Sequence, residues 1–253
     1  MARRLIVGTG WKMNLGAAET VRYAEALLSR FEPCGVEVFV LPPFTSLAAA
    51  VSAFAGSGVG VGAQNMHWDR AGAWTGEISA PMLVEVGCRY VELAHSERLA
   101  HFGETYALVR RKLDTALECG LTPILCLGET AAERRDADAV LRWQLTTALG
   151  GQIAARVPDV VFAYEPRWAV GAAEAASPDY VGERHAAIRA ILRENYGVEA
   201  AAESRIIYGG SVNAINGPAL IALADVDGLF AGRFAWTPDG FASLIRIVAQ
   251  AAL

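Results

Sequence analysis

The sequence is short of charge, of cysteine and of long unbroken apolar runs, and each shortage removes a class of function. Only 19% of the 253 residues are charged, 22 Lys and Arg against 27 Asp and Glu, for a net charge of −5. A mildly acidic chain without a basic block is a poor partner for nucleic acid or an anionic membrane. No apolar run is long enough to span a bilayer, so no membrane partner is expected. Arg3 and Arg4 precede a short apolar stretch, but Lys12 follows too soon for a secretory signal. The four cysteines (Cys34, Cys88, Cys119, Cys126) stand far apart with no CxxC. That spacing speaks against a disulfide framework or a thiolate metal site. The expectation is a reducing cytoplasm and no structural metal. Linkers and low-complexity segments are also missing, so residues 1–253 read as one domain.

What remains is an apolar chain with a repeated unit. Apolar residues make up 53% of the sequence, and they gather in runs beginning near Leu5, Val36, Val59, Tyr90, Leu121, Val160, Arg205 and Gly228. Most runs are too apolar to have a solvated face, as buried parallel strands must be. Helical periods separate them. Val21, Ala24, Leu28 and Phe31 form one stripe, and Leu108, Leu113 and Leu117 belong to another. Ser177-Pro178 and Thr237-Pro238 read as helix starts, while Gly120 and Gly197 fit helix ends. Strand-then-helix eight times in about 250 residues is the rhythm of an α/β (β/α)8 TIM barrel. An open doubly wound sheet is the alternative. In a barrel, the strand ends carry the chemistry.

Five strand-end segments hold residues that an apolar core does not need. GWKMN (Gly10 to Asn14) places Lys12 at the end of the first run; its bland reading is a solvated loop lysine. VELAHSER (Val91 to Arg98) places His95 before what reads as a first helical turn. There an imidazole stays neutral and able to donate; otherwise it is a core-edge histidine bonded to a carbonyl. FAYEPRWAVG (Phe162 to Gly171) puts Glu165 after four apolar or aromatic residues, a setting that raises a carboxyl pKa and suits a general base. The alternative for Glu165 is an ion pair with Arg167. Small residues from Ala169 to Ala176, beyond Pro166 and Trp168, read as a moving lid. YGGSV (Tyr208 to Val212) and FAGRFAW (Phe230 to Trp236) expose backbone N–H groups after the last two strands, where barrels bind phosphate. Either glycine turn alone reads as a tight turn.

Together with ILCLGET (Ile124 to Thr130) and DVDGLFAG (Asp225 to Gly232), these segments resemble the triosephosphate isomerase family over essentially the whole chain. The resemblance implies Glu165 as the proton-transferring base, His95 as the hydrogen-bond donor to the substrate oxygens and Lys12 as the stabiliser of enediolate and phosphate charge. Glu97 would order Lys12 and His95. Gly171, Ser211 and Gly232 would offer N–H groups to the phosphate. Trp168 would pair with Glu129 near the lid hinge at Pro166, and Tyr208 with Ser211 would hold the closed lid. The segment Gln64 to Glu77 resembles the family's dimer-interface loop, with Thr75 reaching a partner's site, which implies a homodimer. The substrate would be a small phosphorylated sugar, and the chemistry needs no cofactor and no metal.

The departures from the family pattern are specific. Gly10 stands where the family carries Asn, Ala94 where it carries Gly, GAAE (Gly171 to Glu174) in place of a GTGK-like lid, and Arg233 in place of a second glycine. The QNMHW and GAWTGE segments and the Gly232-Arg233 ending resemble the L-erythrulose 1-phosphate isomerases of tetritol catabolism. Their substrate is dihydroxyacetone phosphate bearing one further hydroxymethyl group. On this reading Gly10 makes room for that group and Arg233 supplies a fork of donors to the phosphate. The competing readings are an ordinary triosephosphate isomerase with Gly10 as drift and Arg233 as a solvated residue, or a phosphate-binding barrel without catalysis.

Overall fold

Eight apolar runs become eight parallel strands, each starting within one residue of its expected position. The computed structural model describes residues 3–30, 35–170 and 175–252. The strands are β1 Ile6–Gly10, β2 Glu37–Leu41, β3 Val59–Ala63, β4 Tyr90–Leu93, β5 Thr122–Leu127, β6 Val161–Tyr164, β7 Arg205–Tyr208 and β8 Gly228–Ala231. Each pairs with the next, and β1 also pairs with β8 in the register Ile6 to Gly228, which closes the barrel. Closure excludes the open sheet. Strand residues are buried almost without exception, because helices cover the outside and side chains fill the inside.

The helices between them are α1 Ala17–Leu28, α2 Leu47–Ala53, α3 Ala80–Val86, α4 Ser96–His101, α5 Tyr106–Glu118, α6 Ala137–Ala148, α7 Pro178–Glu203, α8 Gly217–Ile221 and α9 Pro238–Gln250. The hydroxyls of Ser177 and Thr237 cap α7 and α9 by accepting from the N–H of Tyr180 and Gly240. Gly197 ends the first part of α7 at φ 92°, and a second helical stretch continues from it. The stripe expected on α1 is displaced. Val21 is exposed, and the buried face is Thr20, Tyr23, Ala24 and Leu27. An apolar count missed this because two of the four carry hydroxyls, both satisfied: Tyr23 donates to the Ala235 carbonyl and Thr20 to that of Leu15. Phe31 and Cys34 lie outside the described residues. On α5, Leu113 and Leu117 are buried and Leu108 is half-buried.

Aromatic rings plug the barrel interior. Phe39 contacts Tyr90 and Phe230, with ring centroids 5.1 and 5.5 Å apart. The rings fit because a Cβ on Gly8 would sit 2.0 Å from the Phe39 ring. This layer forms the floor of whatever opens above it. At the other end, Arg189 on α7 binds Asp225, Asp227 and the carbonyls of Ala201 and Ser204, tying α7 to the start of β8. The described residues contain no helix long and apolar enough to cross a membrane.

Candidate active site

A cavity of about 1170 Å³ opens at the C-terminal ends of the strands, above the aromatic layer. Of the residues expected to act, Gly10, Lys12, Gln64, His95, Glu97, Glu165, Ser211, Gly232 and Arg233 all border it. Six strands supply the shell, so the constellation exists only in the closed barrel.

Lys12 leaves β1 in the left-handed region, at φ 52°, a conformation that is uncommon for a residue with a side chain. Gln64 holds it there, its Nε2 donating to the carbonyls of Lys12 and Leu41 at 2.9 Å each. The Lys12 ammonium meets Glu97 Oε1 at 2.6 Å, so it is not the freely solvated lysine of the bland reading. Partial burial works against ionisation of Glu97, but the Lys12 hydrogen bond and the nearby positive charge hold its carboxyl below the ordinary range. Trp236 Nε1 donates to the Gly10 carbonyl at 3.0 Å and fixes the strand end beside it.

His95 is the residue preceding α4, and its ring caps the helix: Nδ1 accepts from the Glu97 N–H at 3.2 Å. An accepting Nδ1 leaves the proton on Nε2. Burial, with Lys12 adding to it, lowers the imidazole pKa to about 4. His95 is therefore neutral at physiological pH with Nε2–H free to donate. The carbonyl-bound core histidine is a different residue, His185, whose Nδ1 faces the Asp225 carbonyl at 3.1 Å. Ala94 ahead of His95 has φ 63°. Glycine adopts that conformation without strain, whereas alanine there costs about 1–2 kcal/mol.

Glu165 is buried, 4% exposed, at the end of β6. Its Oε2 lies 3.9 Å from His95 Nε2 and has no hydrogen-bond partner among the described residues. The ion pair with Arg167 is not formed among the described residues; the side chain that Glu165 approaches is the neutral His95 ring. Burial raises the Glu165 pKa to about 8, against the pull of Lys12. Two glycines grip it. A Cβ on Gly128 would lie 1.9 Å from the Glu165 carbonyl oxygen, and one on Gly209 would lie 2.7 Å from Glu165 Cγ. Buried Gln144 clamps the Gly128 peptide, accepting from its N–H and donating to its carbonyl.

Other expected residues stand behind the cavity. Trp168 Nε1 donates to Glu129 Oε1 at 2.7 Å, and the hydroxyls of Tyr164 and Tyr180 reach the same carboxylate. Pro166 lies between Glu165 and that cluster, and Tyr208 is fully buried against Gly210. Gly171 and the GAAE segment lie outside the described residues. Thr75 and Glu77 are exposed and do not border this chain's cavity. Their loop is internally packed: the His67, Trp68 and Trp74 rings cluster, with Arg111 over Trp68 at 4.6 Å. Arg233 is exposed at the cavity edge and makes no ion pair among the described residues. Gly10 is buried at the cavity wall, and a Cβ there would meet the Phe230 ring at 3.4 Å, an ordinary contact.

Sequence reasoning missed Gln64 as a backbone clamp, Gln144, and Glu92. Glu92 sits in β4 and borders the cavity at 5% exposure. Its carboxylate, Cys126 Sγ and the Glu165 carboxylate lie within 4.8 Å of one another. Burial pushes both Glu92 and Cys126 well above their ordinary pKa values. Protonated thiol and carboxyl groups are poor metal ligands. The trio is better described as a buried carboxyl pair beside a thiol.

A sequence model described as triosephosphate isomerase matches residues 5–248. The triosephosphate isomerase of Symbiobacterium thermophilum is 44% identical over 252 residues, covering 98% of each chain. The L-erythrulose-1-phosphate isomerase of Mesorhizobium japonicum is 44% identical over 248 residues, covering 94% of this chain and 95% of its own. That of Rhizobium meliloti is 43% identical over 253 residues, covering 98% of each. Relatives of both names therefore stand at equal similarity.

Proposed function

The chain belongs to the triosephosphate isomerase family of isomerases, and from that premise we propose that it interconverts L-erythrulose 1-phosphate and D-erythrulose 4-phosphate. Glu165 takes the proton from the hydroxyl-bearing carbon next to the carbonyl. The Nε2–H of His95 hydrogen-bonds the carbonyl oxygen as the enediolate forms, and Lys12 stabilises its charge. Glu165 then returns the proton to the former carbonyl carbon, and the carbonyl appears one carbon further from the phosphate. Glu97 orders Lys12 and His95. Ser211 and Gly232 N–H groups, with the Arg233 guanidinium, receive the phosphate. Support for the proton-transfer chemistry comes from the facing pair of a strongly buried Glu165 and a neutral His95.

The preference for the four-carbon ketose rests on Gly10, which leaves the cavity wall bare where the family pattern has an asparagine. A homodimer joined through Gln64 to Glu77 fits the half-exposed Trp74 and the outward Thr75. A cytoplasmic setting accords with the free thiols of Cys88, Cys119 and Cys126. The second reading, dihydroxyacetone phosphate to D-glyceraldehyde 3-phosphate, is favoured by the equal identity of the Symbiobacterium relative.

Turnover of both ketose phosphates by one preparation separates the two readings. The wild type should show the higher kcat/KM on L-erythrulose 1-phosphate, and Gly10→Asn should reverse that order by refilling the wall. The strand conformation and the 3.4 Å clearance at Gly10 accommodate a side chain. Differences of one carbon in a packed pocket are worth about 10- to 200-fold. Faster triose turnover by the wild type, with no reversal in Gly10→Asn, would contradict the four-carbon reading.

A further inference from the structure

We propose that Glu92 selects the four-carbon substrate: its carboxylic acid, at the cavity floor, hydrogen-bonds the hydroxyl of the added hydroxymethyl group, which a three-carbon ketose phosphate lacks. The inference rests on the tetrulose reading and names the group that recognises the added hydroxymethyl.

Glu92 lies two residues after Tyr90 on β4, so it shares the inward face of the strand. The Tyr90 ring occupies the aromatic layer, and Glu92 borders the cavity together with Gly10 and Phe230. Packing alone calls for an apolar side chain at such a position. Instead a carboxyl is buried to 95% of its surface, and its one side-chain hydrogen bond among the described residues is accepted from the Cys126 thiol at 3.8 Å. A thiol that distant is a weak partner, so the carboxyl keeps hydrogen-bonding capacity directed at the cavity.

Its protonation follows from its neighbour. Two buried carboxylates within 4.8 Å of each other resist ionising together. The proton-transfer step requires the charge on Glu165, so Glu92 carries the proton and can donate. Burial and the Glu165 charge both act in that direction.

Topology supplies the direction of the substrate. The phosphate-side residues Ser211, Gly232 and Arg233 follow β7 and β8, and β4 lies four strands from β8 around the closed ring. A ketose phosphate anchored there and reacting beside Glu165 extends its far carbon toward β4. In L-erythrulose 1-phosphate that far carbon bears a hydroxyl. In dihydroxyacetone phosphate a hydrogen stands where that hydroxymethyl group would be, which leaves the Glu92 acid unpartnered, and sites built to bond a hydroxyl discriminate against ligands lacking it.

The test uses unreactive reduced analogues, glycerol 3-phosphate and the corresponding four-carbon tetritol phosphate, titrated by calorimetry into full-length wild type and variants. Glu92→Leu should move the ratio of the two dissociation constants at least tenfold against the four-carbon ligand. Glu92→Gln, which keeps an N–H donor, should hold the ratio within about threefold of wild type. Should Glu92→Leu reduce the yield of folded protein, Glu92→Met repeats the comparison without a donor. An unchanged ratio in the Leu or Met variant overturns the proposal, whether both ligands weaken together or neither does. Wild-type turnover of the two ketose phosphates is read separately. Preferred triose turnover with a shifted binding ratio defeats the tetrulose reading alone, and preferred tetrulose turnover with an unchanged ratio defeats the Glu92 assignment alone.

Discussion

Glu165→Gln should lower kcat by about 10²- to 10⁴-fold on any ketose phosphate the enzyme accepts, the usual worth of a positioned general base. KM should change far less, because the carboxylate acts on a carbon-bound proton and not on the phosphate. Glu165→Asp is the finer probe. Gly128 and Gly209 hold the backbone and stem of residue 165 in place, so shortening the side chain withdraws the carboxylate by roughly 1 Å instead of letting the loop follow. A misplacement of that size costs about 100-fold. The same residue sets the acid limb of the pH profile. Only ionised Glu165 removes a proton, and burial raises its pKa to about 8. Wild-type kcat/KM should therefore fall as pH drops through that raised value, well above the range of an ordinary glutamate. Lys12, Glu97, Arg167, Glu92 and Cys126 all face this carboxyl and tune the limb. His95, lowered to about 4, adds no limb near neutrality. Steady-state kinetics across pH check each part, and near-normal kcat in both variants would place the base elsewhere.

Lys12→Met should cost about 10²- to 10³-fold in kcat/KM, the loss typical of removing one donor from an oxyanion site. The loss should appear in both kcat and KM, since on the proposed mechanism the ammonium serves the developing enediolate and the bound phosphate alike. It should also leave Glu97 without the 2.6 Å partner that orders it. Lys12→Arg should recover little. The position is set by a left-handed backbone clamped by Gln64, and a planar fork does not replace a point charge there. A variant changed in KM alone would assign Lys12 to phosphate binding only.

The barrel was legible because buried parallel strands leave continuous apolar runs, and all eight starts fell within one residue of the observed ones. The polar residues at strand ends were legible for the complementary reason: Lys12, His95 and Glu165 interrupt apolar stretches that packing alone would have continued. Thr20 and Tyr23 on α1 were not, because their buried hydroxyls bond backbone carbonyls that only the fold brings near. Gln64 and Gln144 escaped for the same reason, since both act on backbone groups distant in sequence. Glu92 did carry a signal, a single carboxylate inside the β4 sequence YVEL. The expected lid at Gly171 to Glu174 lies outside the described residues.

On the proposed function, Glu165 shuttles a carbon-bound proton on a small ketose phosphate. Incubation of the wild-type enzyme in deuterium oxide with L-erythrulose 1-phosphate, and separately with dihydroxyacetone phosphate, tests it most directly. A base that exchanges its proton with solvent leaves deuterium on the carbon it has deprotonated. Enzyme-dependent deuterium should appear at the carbons beside the carbonyl, and that label should be lost in Glu165→Gln. No incorporation into either substrate would contradict it, because a barrel that only binds phosphate has no means of breaking a carbon–hydrogen bond.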